Sequence, residues 1–490
     1  MAPHDRRRRA LVVPDPSFEP AETHYGARTL PLPDPRRATL VATILCVGLA
    51  GCASQRERVA VAIADWDALD ASFVRAMDDP VAPITSAATL ADYVALALAR
   101  NPGYQASSQR WLADLERVPQ ARSLPDPQLT YGGFLEEVET RVGPQRHRFG
   151  VSQRVPWPGK LYLAGEMAFE ESEAARARSE AARLSLVFQV TGAYAEYYYL
   201  ARDVAITEET LTLLRNWEAV AQVRFRAGAQ AAHRDVVKAQ VEIGRLEDRL
   251  ASLRDMRRPR VERLRALLDL PRDFDLPWPS TIPERALGLS ETAAFQTLLE
   301  RSPVLAEHRQ RVAARERGVD LAWQSYLPDF VFGLDYTEVG PARAANVRGS
   351  GDDSIMGMFG LSLPIWFGRN EATVSEARAR LRAAELERAD TENALQAALT
   401  RALFDYRDAE RKVRLYRDSL VPKAEESLQA TVTAWEAGNG DLLNVLDAER
   451  LLLEFHLQRE RALANRITAL TEIESLIGSE LPPTRREEPR

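Results

Sequence analysis

Cysteine and histidine are scarce in this chain, which limits the chemistry it can perform. The two cysteines, Cys46 and Cys52, lie in one N-terminal stretch, which excludes the framework of a disulfide-rich fold. The six histidines never stand at the spacing of metal ligands, with one another or with cysteine. The chain has no P-loop, and its Gly438-Asn439-Gly440 follows no predicted strand. We therefore expect no enzyme, no catalytic residue, no cofactor and no bound metal.

The chain also has no excess of basic residues and no long apolar run. Lys and Arg number 64 against 71 Asp and Glu, so the formal net charge is −7, which argues against a nucleic-acid partner. The hydrophobic fraction of 45% is ordinary, which excludes both a disordered chain and a bundle of membrane helices. The longest uncharged apolar run covers residues 38–53 and is shorter than the roughly 20 residues that a spanning helix needs.

This apolar run at residues 38–53 is typical of a secretory signal, because arginines precede it and small residues close it. Its end, Leu49-Ala50-Gly51-Cys52, resembles the bacterial lipobox, in which the signal is removed before a cysteine that receives lipid. The next residue, Ala53, fits transport of such a lipoprotein to the outer membrane. We expect lipidation at Cys52. The alternative is a buried helix with an incidental cysteine.

Short motifs recur at an offset of roughly two hundred residues, far beyond the 20–50 residues of solenoid repeats. The pairs are Asn101-Pro102 and Ser302-Pro303, Leu124-Pro125-Asp126 and Leu327-Pro328-Asp329, Phe149-Gly150 and Phe359-Gly360, and Ala227-Gly228 and Ala437-Gly438. This pattern predicts a duplicated domain. The predicted segments are 1–51 (N-terminal extension and signal), 52–85 (linker), 86–285 and 286–480 (the two repeats) and 481–490 (polar tail).

Each repeat contains a predicted β-hairpin. Apolar and polar residues alternate over residues 127–137 and 146–156 in the first repeat. The second repeat alternates over residues 330–336 and 359–363, which a long polar connection at 340–353 separates.

Met356 and Met358 form the one close pair among the six methionines. Thioethers suit soft metals such as copper, which makes a metal site one interpretation. We expect packing instead, because alternate strand positions place both side chains on one face, beside apolar neighbours.

A very long helix follows each hairpin. The predicted helices cover residues 159–226 and 369–436, and roughly 67 residues at a rise of 1.5 Å reach about 100 Å. Apolar residues step by three and four along both, which is the pattern of a coiled coil. Pro422 should kink the second helix. Each long helix ends at a glycine, Gly228 or Gly438, and a second helix returns. The returning helices are predicted at 233–270 and 441–478.

The order of helix, two strands, long helix, glycine tip and returning helix, all repeated, resembles the TolC-like outer-membrane efflux channels. The segment from Ala437 to Glu449 (AGNGDLLNVLDAE) is similar to the family's second-hairpin signature. The segment from Ser152 to Leu161 (SQRVPWPGKL) resembles the lipoprotein branch that serves heavy-metal RND pumps. The likeness covers nearly all of residues 86–480.

The resemblance implies a mainly α-helical fold with a small β part. Three chains would close their strands into a twelve-stranded outer-membrane β-barrel, which leaves no backbone group unpaired in lipid. Their long helices would form a trimeric α-barrel across the periplasm. The implied partners are two further copies in a homotrimer, a periplasmic adaptor (a membrane fusion protein), an inner-membrane RND pump and outer-membrane lipid.

The resemblance also assigns roles at the hairpin tips. Family members hold the periplasmic end closed with tip acids, an aromatic residue and a basic residue. The residues implied for this aperture are Asp235, Trp435, Asp441 and Asp447. The adaptor would contact the tips at Gly228 and Gly438.

Two positions depart from the family pattern. Gly440 and Asn444 stand where some members carry a constricting Arg and an Asp, which implies a gate that is looser or differently bonded. The alternative role for the tip acids is that of a helix N-cap, which satisfies free backbone N–H groups. The cap is favoured for Asp441, whereas Asp447 lies well inside its helix and is better suited to the lumen.

The implied function is an outer-membrane exit duct of a tripartite efflux system, which passively conducts small solutes such as heavy-metal ions or drugs. A duct for type I protein secretion is the alternative with the same fold. A surface coiled-coil protein without a pore is a third hypothesis. It predicts no alternating strands, whereas four are present at duplicated positions.

Overall fold

The structure is a computed structural model that describes residues 56–75, 84–227 and 232–481. The predicted signal, Cys52, Gly228 and residues 482–490 lie outside these described residues. The described part is mainly helical with one four-stranded sheet. None of its helices combines the length and the apolar character that crossing a membrane requires.

The secondary structure comes in two successive sets of similar order. The first set is α1 (residues 56–75), α2 (Leu90–Arg100), α3 (Pro102–Leu115), α4 (Arg117–Arg122), β1 (Gln128–Thr140), β2 (Gly143–Val155), α5 (Pro158–Arg226) and α6 (Ala232–Leu268). The second set is α7 (Glu291–Arg301), α8 (Pro303–Trp323), a 3-10 turn (Gln324–Tyr326), β3 (Asp329–Val339), β4 (Ser354–Ser362), α9 (Phe367–Leu415), a π-helical turn (Tyr416–Leu420), α10 (Val421–Glu436) and α11 (Leu442–Ile477). The four helical stretches for which bounds were predicted, α5, α6, α9 to α10 and α11, begin and end within a few residues of those bounds.

The long helices pack against one another through apolar clusters. Helices α5 and α6 form one helical hairpin, and α10 and α11 form a second. At the ends where these helices are connected, hereafter the hairpin ends, all four share one cluster, which includes Leu214, Ile243, Trp435 and Leu446. Farther along, α7, α9 and α11 pack around Leu298, Leu403 and Leu470. Burial of such side chains contributes about 1.5–3 kcal/mol each. The predicted coiled-coil faces therefore find their partners within the chain.

The second long helix is irregular where the sequence places a proline. Its regular α-helix stops at Leu415, a π-helical turn covers Tyr416–Leu420, and α10 begins at Val421. The backbone stays helical from α9 through this turn into α10, so Pro422, which has no N–H, leaves one carbonyl of the preceding turn without its usual helical partner. The irregularity agrees with the expected effect of Pro422.

Helix α1 lies in the segment that the sequence analysis assigned to a linker. Its Trp66 Nε1 donates to the carbonyl oxygen of Ser108 on α3 at 3.2 Å, and its Phe73 ring meets Tyr104 edge-on at 5.4 Å. Arg58 also pairs with the buried Glu166 on α5 at 2.6 Å. Residues 56–75, inside the segment predicted as a lipidated linker, thus form a helix that packs against α3 and α5.

The four strands form one antiparallel sheet in the order β1-β2-β3-β4. The register places most of the apolar residues of the four strands on one face, hereafter the apolar face. It includes Leu129, Tyr131, Phe149, Val151, Phe332, Leu334, Ile355 and Phe359. The opposite, polar face includes Thr130, Arg148, Ser152, Asp335, Thr337 and Ser362. The predicted alternation of apolar and polar residues thus gives the sheet one mainly apolar and one mainly polar face.

Met356 and Met358 lie on the polar face, which corrects the sequence interpretation. Met356 is the cross-strand partner of Asp335, and Met358 is the partner of Gly333. Alternation does place both methionines on one face, as expected, but their cross-strand partners there are Asp335 and Gly333 and not large apolar side chains. The register of β3 against β4 decides which face they share, and a single strand does not reveal it.

A buried carboxylate joins the sheet to the start of α5. Asp329, the first residue of β3, accepts from Lys160 Nζ at 2.7 Å and from Arg154 Nη2 at 2.8 Å. It also accepts from the backbone N–H of Trp157 at 3.1 Å. These bonds tie the exit of β2, the entry of α5 and the start of β3 together.

Candidate functional site at the hairpin ends

The last turns of α5 and α10 are joined by one arginine. Arg224 donates from Nη1 to the carbonyl oxygen of Trp435 and from Nη2 to that of Glu436, each at 2.9 Å. Carbonyl groups at the end of a helix lack amide partners in the next turn, so a cation there is well placed. The Arg224 guanidinium carbon also lies 4.6 Å from the centre of the Trp435 ring.

Trp435 itself is buried. Its exposed fraction is 2%, and its ring belongs to the apolar cluster shared by α5, α6 and α11. The residue implied for the aperture therefore packs inside this chain, with Arg224 over its ring.

Asp441 links the starts of α6 and α11. Its Oδ1 accepts from the backbone N–H of Leu443 at 3.0 Å, so Asp441 is the N-cap of α11. Its Oδ2 accepts from Arg234 Nη2, in the first turn of α6, at 3.0 Å. The hydrogen bond from Leu443 lowers the pKa of Asp441, and the charges of Arg234 and Lys238 lower it further.

Asp235 lies beside Asp441 in an environment that disfavours its charge. Burial raises the pKa of Asp235, and the negative charge of Asp441 raises it further. Its Oδ1 is shielded from solvent and has no hydrogen-bond partner. The pKa values of the two neighbouring acids are thus shifted in opposite directions, so Asp441 holds its charge more readily than Asp235 does.

Asp447 belongs to a different set of charges. Its side chain is 57% exposed and accepts from Arg450 Nη1 at 2.9 Å, one turn later on α11. Arg450 Nη2 donates at 2.6 Å to Glu242, a buried residue of α6. That hydrogen bond from Arg450 lowers the pKa of Glu242. Asp447 is therefore the exposed end of a charge chain that crosses from α11 to α6.

The structure brings together some of the implied aperture residues and separates others. Asp235 and Asp441 adjoin each other, whereas Asp447 pairs with Arg450 and Trp435 is buried. Sequence reasoning missed the cations that hold this region together: Arg224, Arg234 and Arg450. Two of them stand within three residues of an implied acid, Arg234 next to Asp235 and Arg450 after Asp447, which is the signal that could have found them.

The turn between α10 and α11 explains one departure from the family pattern. Gly438 has φ +81°, which favours glycine. At Gly440 an added Cβ would lie 3.0 Å from the backbone nitrogen of Trp435. A larger residue at Gly440 would therefore force this turn to shift.

Glu449 is a buried carboxylate that sequence reasoning did not single out. Its exposed fraction is 4%, and Oε1 accepts from Thr210 Oγ1 on α5 at 3.1 Å. Its Oε2 is shielded from solvent without a partner, and burial raises the pKa of Glu449. Across the described ranges, no group of three or more His, Cys, Asp or Glu residues could hold a metal ion.

The chain matches a known family over both halves. Residues 93–269 and 294–479 match the family described as "Outer membrane efflux protein". One curated relative is the "Cobalt-zinc-cadmium resistance protein CzcC" of Cupriavidus metallidurans, which is 23% identical over 411 residues. That alignment covers 81% of this chain and 92% of the relative.

Two further similarities agree with this match. The "Pyoverdine export outer membrane protein OpmQ" of Pseudomonas putida is 25% identical over 355 residues, which cover 67% of this chain and 69% of the relative. A solved structure of CusC, described with "transmembrane channel formation", aligns with a TM-score of 0.65 at 17% identity. It covers 80% of this chain and 92% of that chain, and at this identity it supports the fold alone.

Proposed function

The chain belongs to the outer membrane efflux protein family, and on that premise we propose that it is the outer-membrane exit duct of a tripartite efflux system. The resemblance read from the sequence motifs is thereby confirmed. The duct conducts small solutes passively, and an inner-membrane RND pump supplies the energy through a periplasmic adaptor. One relative is named for cobalt-zinc-cadmium resistance and another for pyoverdine export, which supports metal ions and organic solutes as the two candidate classes of solute.

The exposed apolar face of the sheet is the observation that carries the proposal. On this face Leu129 is 81% exposed and Ile355 71% exposed, whereas the opposite face is polar. β1 and β4 end the sheet, so each has one edge that needs a partner in lipid. We propose that three copies join β1 of one to β4 of the next and close a twelve-stranded barrel, with the polar face inside and the apolar face toward lipid.

The hairpin ends form the periplasmic aperture in this proposal. Arg224 against Trp435 and Arg234 against Asp441 hold the first helical hairpin to the second within one protomer. The exposed carboxylate of Asp447 contributes negative charge to the mouth of this aperture. The tips at Gly228 and Gly438 contact the adaptor.

The oligomer and the pore are tested together. Detergent-extracted protein should have the mass of three chains plus detergent and should open steady conductances in a planar bilayer. A monodisperse, water-soluble monomer without conductance would overturn the proposal.

We also propose that lipid on Cys52 anchors the protein to the outer membrane, in addition to the barrel. A fatty-acid analogue should label the wild type and not Cys52→Ser. Equal labelling of both proteins would contradict the anchor and leave the duct proposal unaffected.

A further inference from the structure

One row of residues crosses the whole sheet on its polar face. The register aligns Thr130, Gly150, Asp335 and Met356 across β1, β2, β3 and β4. The next row on the same face contains Ser152, Gly333 and Met358. Met356 is therefore directly opposite Asp335 on the neighbouring strand and Met358 is one row away, on a face that otherwise carries mainly small and polar side chains.

The two methionines are open to solvent and directed across the sheet. Met356 is 48% exposed and Met358 is 43% exposed. The Cε of Met358 lies 3.1 Å from the position that a Cβ on Gly333 would take. Met358 thus leans over β3, the strand that carries Asp335, and the glycine leaves the space for it.

Asp335 has one oxygen that the protein does not satisfy. Its exposed fraction is 4%, and its Oδ1 accepts from Arg148 Nε at 2.9 Å. Its Oδ2 is shielded from solvent and has no hydrogen-bond partner. A Cβ at Gly150 would lie 2.6 Å from Oδ1, so the glycine allows the carboxylate to reach across β2. A buried carboxylate oxygen without a donor is costly, and a bound cation would remove that cost.

The donor set selects the class of cation. Thioether sulfur is a soft, uncharged ligand that suits monovalent copper, whereas magnesium, calcium and manganese favour oxygen donors. Arg148 already balances the negative charge of Asp335, so a doubly charged cation at this point would be less favourable than a singly charged one.

We propose that Met356 and Met358, with Oδ2 of Asp335, form a contact site for a soft monovalent cation, Cu(I) or Ag(I), on the inner wall of the barrel. This inference rests on the proposed function for its place inside the duct. Threefold symmetry would give three such sites around the lumen. Each site would bind a passing ion only transiently, because two thioethers and one carboxylate oxygen do not enclose the ion.

Silver ion alone is the probe, in chloride-free nitrate buffer, titrated calorimetrically into the detergent-extracted full chain. Leucine matches methionine in volume and apolar character but lacks sulfur, so the double variant Met356→Leu, Met358→Leu should keep the fold. We expect its silver affinity at this site to fall at least tenfold. The double variant Met167→Leu, Met256→Leu removes two sulfurs elsewhere and should bind as the wild type does.

Two further measurements complete the test. Asp335→Asn should also weaken silver binding. Magnesium binding, in contrast, should be the same for the wild type and for every variant. Equal silver binding by the wild type and the Met356→Leu, Met358→Leu variant, both with unchanged circular dichroism, would overturn the site.

Bilayer conductance separates the site from the duct. A variant that conducts normally but has lost silver binding supports the site. Normal conductance with silver binding unaffected by the substitutions refutes the site and leaves the duct proposal intact. Thioether-dependent silver binding without any conductance upholds the site and refutes the duct.

Discussion

Arg224 holds Trp435 from two directions at once: its guanidinium stacks over the ring at 4.6 Å and donates to the carbonyl oxygen of the same residue at 2.9 Å. The stacked contact contributes about 0.5–2 kcal/mol, depending on how far the pair is desolvated. Because Arg224 ends α5 and Trp435 ends α10, this contact fastens one helical hairpin to the other. The fastening lies beside the tips, where the proposed aperture has to open.

Arg224→Ala should loosen the hairpin ends. The change removes two hydrogen bonds to helix-end carbonyls and the stacked contact, so we expect larger conductance in a planar bilayer and faster hydrogen exchange around Trp435. Arg224→Lys keeps the charge but loses the planar fork, and should give an intermediate result. Arg226→Ala, on an exposed residue of the same turn, is the matched control. Equal behaviour of the Arg224→Ala and Arg226→Ala variants would contradict the fastening.

Asp447→Asn should weaken the preference of the pore for cations. Acids in a narrow mouth concentrate cations and repel anions. The Asp447 carboxylate is more than half exposed, and its partner Arg450 is shared with Glu242. We therefore expect less block by divalent and trivalent cations in single-channel recordings, with unchanged folding. Unaltered selectivity and block would remove Asp447 from the mouth.

Asp441 should affect stability more than selectivity. As the N-cap of α11 it contributes about 1 kcal/mol, which Asp441→Ala should lose. Asn is an equally good cap, so Asp441→Asn should retain most of that stability and lose the pairing with Arg234. Thermal unfolding of both variants distinguishes the cap from the charge. A larger change in selectivity from Asp441→Asn than from Asp447→Asn would reverse the roles given to the two acids.

The sequence predicted the elements of this fold better than their contacts. Strand alternation and the three-and-four spacing of apolar residues depend on near neighbours, so the strands and long helices were predicted within a few residues. Trp435 and Arg224 are far apart in the chain, and their contact exists only because two hairpins dock. No local pattern encodes that docking. The face on which Met356 lies was missed for the same reason, since Asp335 on another strand defines its surroundings.

The helix at residues 56–75 is a different kind of omission. Val59, Ala62, Trp66, Leu69 and Phe73 are spaced by three and four, so the helical pattern was present in the sequence. The spacing therefore predicts a helix inside the segment 52–85, which the sequence analysis described only as a linker.

Asp235→Asn should make the hairpin ends more stable at neutral pH. Because the folded-state pKa of Asp235 is raised above its ordinary value of 3.8, the folded state binds the proton more tightly than the unfolded state does. Stability therefore falls as pH rises from about that value through the raised pKa. Asn removes this loss, so hydrogen exchange at the start of α6 should become slower and less dependent on pH. Unchanged exchange would show that Asp235 is solvated in the assembled protein.

Glu449→Gln should raise the melting temperature at neutral pH. The folded protein holds the Glu449 carboxylate between α5 and α11 with one hydrogen bond, from Thr210, and one unpartnered oxygen. Burial raises the pKa of Glu449 above its ordinary value of 4.5. The native state therefore loses stability as pH rises from about that value through the raised pKa. Removal of a poorly compensated buried charge should contribute on the order of 1 kcal/mol.

Glu242→Gln is the matched substitution with the opposite expectation. Glu242 is also buried, but it accepts from Arg450 at 2.6 Å and from Arg245 at 3.2 Å, and Arg450 lowers its pKa. Its contribution is therefore present above the ordinary pKa of 4.5 and is lost as pH falls through the lowered value. Glutamine there leaves Arg450 without its buried partner, so the melting temperature should fall at neutral pH. The main difference between the two sites is that arginines face the carboxylate of Glu242 and none bonds that of Glu449. A shift of the melting temperature in the same direction for both variants would show that the charge of these residues does not govern the stability of the protein.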